Sequence, residues 1–146
     1  MKKILLIISI LPLLINCNQD SLPKPKLSKE EKSKVLTEIK LMENAKIYSD
    51  SAIILLNKNA ADGIVEKEIV EKHNLLLIKS IENAKRVDIS ILEKIKKGFG
   101  KKYQDKYIRG LELRLEGIKN SDGKKALEGQ IVYDEYVNFV NKLKTQ

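Results

Sequence analysis

The chain has 146 residues, 42% hydrophobic and 33% charged, and its 28 basic and 20 acidic residues give a formal charge of +8. A single cysteine and a single histidine exclude an internal disulfide and a zinc site of the ordinary His/Cys kind. The length suits one domain with a real core and not two.

Met1, Lys2 and Lys3 open the chain with positive charge, Ile4 to Ile15 is an apolar run broken only by Ser9 and Pro12, and the polar residues Asn16, Asn18, Gln19 and Asp20 follow. That is the layout of an export signal. The run of about a dozen residues falls short of the roughly 20 that a spanning helix needs. A proline-bearing run without amphipathic period does not suit a buried helix either.

Cys17 lies at the edge of this run. A lone cysteine in an exported chain is a free thiol, an intermolecular bridge or a modified residue. Leu13-Leu14-Ile15-Asn16-Cys17 resembles the lipobox of bacterial lipoproteins, in which a signal peptidase cuts before the cysteine and a diacylglycerol is attached to its sulfur. The residue before the cysteine in that family is usually Gly, Ala or Ser, so Asn16 departs from the pattern; spirochaetal lipoproteins of the Borrelia type accept looser residues there. The richness in Lys, Ile, Leu and Asn and the absence of Trp are similar in style to small Borrelia-type surface lipoproteins. The resemblance implies that residues 1–16 are a lipoprotein signal peptide and that Cys17 is the acylated first residue of a mature protein held at the outer membrane or cell surface. Several acyl chains anchor stably, because each buried methylene contributes about 0.8 kcal/mol.

Residues 17–27 read as the lipidated cysteine and a disordered tether, since NQDSLPKPKL has two prolines and no apolar period. Residues 28–146 read as one helical domain. Ser28 and Glu31 have capping-box spacing. Val35, Ile39, Met42, Ala45, Ala52 and Leu56 then recur at helical intervals over about residues 29–58, with a bend expected at Tyr48-Ser-Asp-Ser51. Asn59-Ala-Ala-Asp-Gly63 reads as a loop. A second helix over about 64–86 carries Val65, Ile69, Val70, Leu76, Leu77, Ile81 and Ala84. Asp88 can cap a short third helix through Ile89, Leu92 and Ile95, and Gly98-Phe99-Gly100 should interrupt it. A fourth helix, about 101–119, shows one apolar seam at Ile108, Leu111, Leu115 and Ile118. After the turn at Asn120-Ser-Asp-Gly123, a last helix over about 124–143 presents Leu127, Val132, Tyr136, Phe139, Val140 and Leu143. The fold expected is an all-α antiparallel bundle of four or five helices, with Leu and Ile carrying the core.

The inventory for catalysis is thin, and no P-loop, dinucleotide fingerprint or serine elbow occurs. His73 falls on or beside the buried seam of the second helix, where a core histidine is the simpler reading than a ligand or a pH switch. The carboxylate pairs at Glu66 and Glu68, Glu68 and Glu71, and Glu112 and Glu116 sit among lysines. They read as solvated faces with weak ion pairs such as Glu68 with Lys72 and Glu112 with Arg109. Catalytic residues, metal and cofactor are therefore expected to be none.

Charge is concentrated. Residues 85–125 hold 13 basic and 6 acidic residues, and Lys94, Lys96, Lys97, Lys101 and Lys102 gather around a glycine-bearing corner, followed by Lys106 and Arg109. Such a cluster can hold a sulfated polysaccharide such as a glycosaminoglycan, an anionic lipid headgroup or an acidic patch of a host protein. It can also be a solvated, compositionally Lys-rich face. Nucleic acid is not expected as a partner of an exported protein. Phe99, Tyr103 and Tyr107 beside these lysines suit a protein interface, or else Phe99 folds back as a lid over the bundle end. The expected function is a lipid-anchored, non-catalytic surface module that binds a host or extracellular macromolecule. The other reading is a periplasm-facing accessory or structural envelope lipoprotein, including one that excludes phage or toxin.

Overall fold

The computed structural model describes residues 28–59 and 65–144, so the expected signal segment, Cys17, the expected tether and most of the expected loop, at 60–64, lie outside the described residues. Among the described residues the chain is helical, with no strand. Helix α1 (Lys29–Asn59) begins at the expected capping box. The Ser28 N–H donates to Glu31 Oε2 at 2.9 Å and the Glu31 N–H donates to Ser28 Oγ at 3.1 Å, satisfying donors that a first helical turn leaves open. The helix runs unbroken through Tyr48-Ser-Asp-Ser51. Ser49 and Ser51 donate back to the carbonyls of Lys46 and Ile47, which absorbs both hydroxyls without ending the helix.

Helix α2 (Lys67–Lys85) starts later than its apolar stripe suggests, because Glu66 is extended, with φ −58° and ψ 143°. Helix α3 (Ile89–Ile95) is capped by Asp88, whose Oδ1 accepts from the Ser90 N–H at 2.9 Å. Helix α4 is continuous but built in three stretches: an α turn at Phe99–Lys102, a π-helical stretch at Tyr103–Ile108 and an α stretch at Arg109–Lys119. Only Gly98 of the two expected breakers breaks the chain, with φ 82°. Gly100 lies inside α4 and is buried, and a Cβ there would stand 2.5 Å from the Ile89 carbonyl oxygen. It is therefore a close-packing residue.

The α4–α5 turn is a Schellman motif. The Asp122 N–H donates to the Gly117 carbonyl at 2.7 Å, the Ser121 N–H donates to Ile118 at 3.2 Å, and Ser121 takes φ 54°. Asp122 then caps helix α5 (Gly123–Lys144) by accepting from the Lys125 N–H at 3.0 Å.

Helices α1 and α2 form one antiparallel pair and α4 and α5 another, with α3 closing one end. Small residues set the second pair's spacing: a Cβ on Gly110 would lie 2.7 Å from the Tyr133 nitrogen, and Cβ atoms on Gly117 and Gly129 would meet the backbones of Ala126 and Arg114. The aliphatic core expected from composition is corrected at its centre. There Tyr103, Tyr107, Tyr133 and Tyr136 are buried beside Leu77, Leu92 and Leu111. Leu127, expected on the buried stripe of α5, is 61% exposed.

Candidate functional site

The basic cluster divides into two groups. Lys94, Lys96, Lys97, Lys101 and Lys102 are exposed at the α3–α4 corner. Lys106 leaves it to pair with Glu135 of α5 at 2.7 Å, and Arg109 lies further along α4 beside a surface groove. The corner's fold is set by Glu93, whose two carboxylate oxygens accept from the Gly98 N–H at 2.6 Å and the Lys101 N–H at 2.8 Å. The backbone N–H groups of Lys101 and Gly98 hold this carboxyl below its usual range. Glu93 thus acts as the cap of α4 while the lysine side chains around it face water.

Phe99 is half-buried with its ring 6.0 Å from that of Phe139, so it covers the bundle end as a lid. Tyr103 and Tyr107, the other half of the expected aromatic interface, are corrected to core positions, 1% and 2% exposed. The two rings stack at 5.0 Å, and Tyr136 meets Tyr103 edge-on at 5.7 Å. The Tyr107 hydroxyl lies 3.3 Å from the hydroxyls of Ser49 and Ser80, and Ser80 Oγ donates to the Ala45 carbonyl at 2.6 Å. Burial pushes all four phenols up, Tyr133 to about 12. They are neutral core groups that do not ionise at ordinary pH.

His73 is fully buried, as its place on the α2 seam implies. Its Nδ1 lies 3.3 Å from Asn74 Oδ1, and its Nε2 has no partner among the described residues. Burial pushes the imidazole down to about 4, and the Arg114 guanidinium adds to the effect. Arg114 is itself half-buried and donates to Gln130 Oε1.

The carboxylate pairs resolve into ion pairs. Glu68 meets Lys72 at 2.6 Å as expected, whereas Glu112 meets Lys85 of α2 at 2.6 Å and not Arg109, and Glu116 meets Lys125 of α5 at 2.6 Å. Lys85 and Glu112 both line the groove, of about 560 Å³, together with the apolar residues Ala84, Val87, Ile89 and Ile108. The sequence gives no sign of this groove, because it is assembled from three elements at the π-helical stretch. Glu38 was equally hidden: 9% exposed in mid-α1, it accepts from the Asp88 N–H at 2.7 Å and ties the start of α3 to α1. No group of His, Cys, Asp and Glu among the described residues could hold a metal ion. No helix among them is long and apolar enough to cross a membrane.

Comparisons of the chain with protein-family models, with curated proteins and with solved structures find no match.

Proposed function

We propose that the protein is a lipid-anchored, extracytoplasmic binding module that displays a rigid helical bundle and performs no catalysis. The observation that carries this reading is the sequence at Leu13-Leu14-Ile15-Asn16-Cys17, a lipobox-like stretch closing a basic, short apolar segment. Its support in the bundle is the way ionisable groups are used. The one histidine is enclosed in the core, the carboxylates Glu31, Glu38 and Glu93 hold backbone N–H groups, and Glu68, Glu112, Glu116 and Glu135 are bound to lysines. These roles are structural. The outward lysines at the α3–α4 corner are the candidate contact for anionic groups, whether on a partner or on a lipid surface.

Protease added to intact cells tests the display. Loss of the protein supports a surface module. Complete protection until the outer envelope is opened would favour the periplasm-facing accessory role.

A further inference from the structure

The start of α1, which receives the chain from Cys17, and the basic corner lie at the same end of the bundle. Lys94 acts electrostatically on Glu31 in the first turn of α1. Glu38 holds the Asp88 N–H at 2.7 Å, and the Phe99–Phe139 contact brings the last part of α5 to the same end. We propose that Lys94, Lys96, Lys97, Lys101 and Lys102 rest on the anionic headgroups of the membrane to which Cys17 anchors the chain. This depends on the lipid-anchor reading and adds a second, electrostatic contact to it.

Reach makes that membrane the nearest polyanion. The stretch between Cys17 and Ser28 spans at most about 40 Å even when extended, and α1 alone is about 46 Å long. The near end of the bundle is therefore confined close to the bilayer, while Lys58, Lys119 and Lys124 at the opposite end can stand well clear of it.

Charge disposition points the same way. Lys72, Lys85, Lys106 and Lys125 each meet a carboxylate at 2.6–2.7 Å, and what sets the corner apart from other lysines without such a contact among the described residues, such as Lys58, Lys119 and Lys124, is that five lysines gather within the nine residues from Lys94 to Lys102. At the corner the nearby acids are turned to helix starts: Glu31 accepts from the Ser28 N–H, Asp88 from the Ser90 N–H and Glu93 from the Gly98 and Lys101 N–H groups. Among the described residues no carboxylate oxygen lies within 4.0 Å of the Lys94, Lys97, Lys101 or Lys102 amino group. Each lysine brought to an anionic headgroup surface favours contact by about fivefold. With acyl chains supplying the affinity, the lysines supply orientation. They set the corner against the bilayer and turn Asn59, Val65 and the Asn120-Ser121-Asp122 turn outward.

Lysine footprinting of the full-length protein, extracted from cells and reconstituted, tests this. A membrane-impermeant amine-acylating reagent is applied on phosphatidylcholine vesicles and on vesicles of phosphatidylcholine mixed with phosphatidylglycerol. The anionic vesicles should slow modification of each of the five corner lysines about fivefold and leave Lys58, Lys119 and Lys124 unchanged. About 1 M salt, where the Debye length is near 3 Å, should remove the protection. Equal rates on the two vesicle types would overturn the proposal. So would protection by added heparin with none by anionic vesicles, which would assign the corner to a soluble polyanion. The same spectra weigh the Cys17 peptide. An acylated Cys17 with an unprotected corner rejects the membrane contact alone. An unacylated Cys17 rejects the anchor and, because the contact rests on it, the proposal as well.

Discussion

Tyr103 and Tyr107 stack with ring centroids 5.0 Å apart and planes 9° from parallel, yet of the two hydroxyls only that of Tyr107 has partners among the described residues. The two phenols are equally buried and differ in one hydrogen-bonding environment. The Ser49 and Ser80 protons go to the Lys46 and Ala45 carbonyls, so the Tyr107 hydroxyl is the donor toward these serines; removing it loses the one hydrogen bond its proton makes, and Tyr107→Phe should cost about 1 kcal/mol in urea unfolding. Removing the Tyr103 hydroxyl deletes a buried polar atom without a partner, so Tyr103→Phe should be neutral or stabilising by up to about 1 kcal/mol. Equal losses in the two variants would mean that Tyr103 is also satisfied in solution.

The α4–α5 pair depends on backbone contact at Gly117 and Gly129. An added methyl at either position meets main-chain atoms that have no flexible end to move. Gly129→Ala should therefore destabilise by about 1–3 kcal/mol, despite alanine's higher helix propensity. Gly123→Ala is the control, since a Cβ there meets nothing within 4 Å. Its unfolding midpoint should barely move.

His73 should make stability depend on acidity in a defined window. The folded imidazole is held near 4 by burial, while in the unfolded chain it titrates near 6.5. Its contribution is full above about pH 6.5 and falls as pH drops toward about 4, below which both states are protonated. The loss is on the order of 3 kcal/mol. Arg114 facing it from α4 makes a second positive charge there more costly. In His73→Met, unfolding measured from pH 7 to 4 should lack this component and retain only the carboxylates' share. An unchanged pH slope would show that His73 reaches solvent in the folded state.

Ser121 holds a left-handed backbone with φ 54° at the position after helix α4 where glycine is favoured. Its side chain is exposed, so Ser121→Gly loses no packing. The expected gain is about 1 kcal/mol from relief of the left-handed strain, read as a raised melting temperature.

The all-α fold was legible because capping signals and apolar spacing agreed at most boundaries. Ser28 with Glu31, Asp88 with Ser90, and the Asn120-to-Gly123 turn all lie where local chemistry put them. Gly100 misled because glycine signals a break and a close approach with the same letter. Only Ile89, packed against it from another element, decides between them. Leu127 misled because spacing identifies a stripe but not its edge. The tyrosines were visible at intervals of three and four, yet their lysine neighbours suggested a surface. Burial of Tyr103 and Tyr107 depends on facing Tyr133 and Tyr136 from α5. The lysine corner was legible as a cluster, whereas its place beside the start of α1 is a tertiary fact carried by Glu38 and Asp88.

The anchor is the claim on which the proposed function turns, and the mass of the N-terminal peptide of the membrane-extracted protein tests it most directly. The expected peptide begins at Cys17 and carries thioether-linked diacylglycerol, and Cys17→Ala abolishes both the cleavage and the fatty-acid label. A peptide that begins upstream of Cys17 with a free thiol, or a fatty-acid label that persists in Cys17→Ala, would contradict the account.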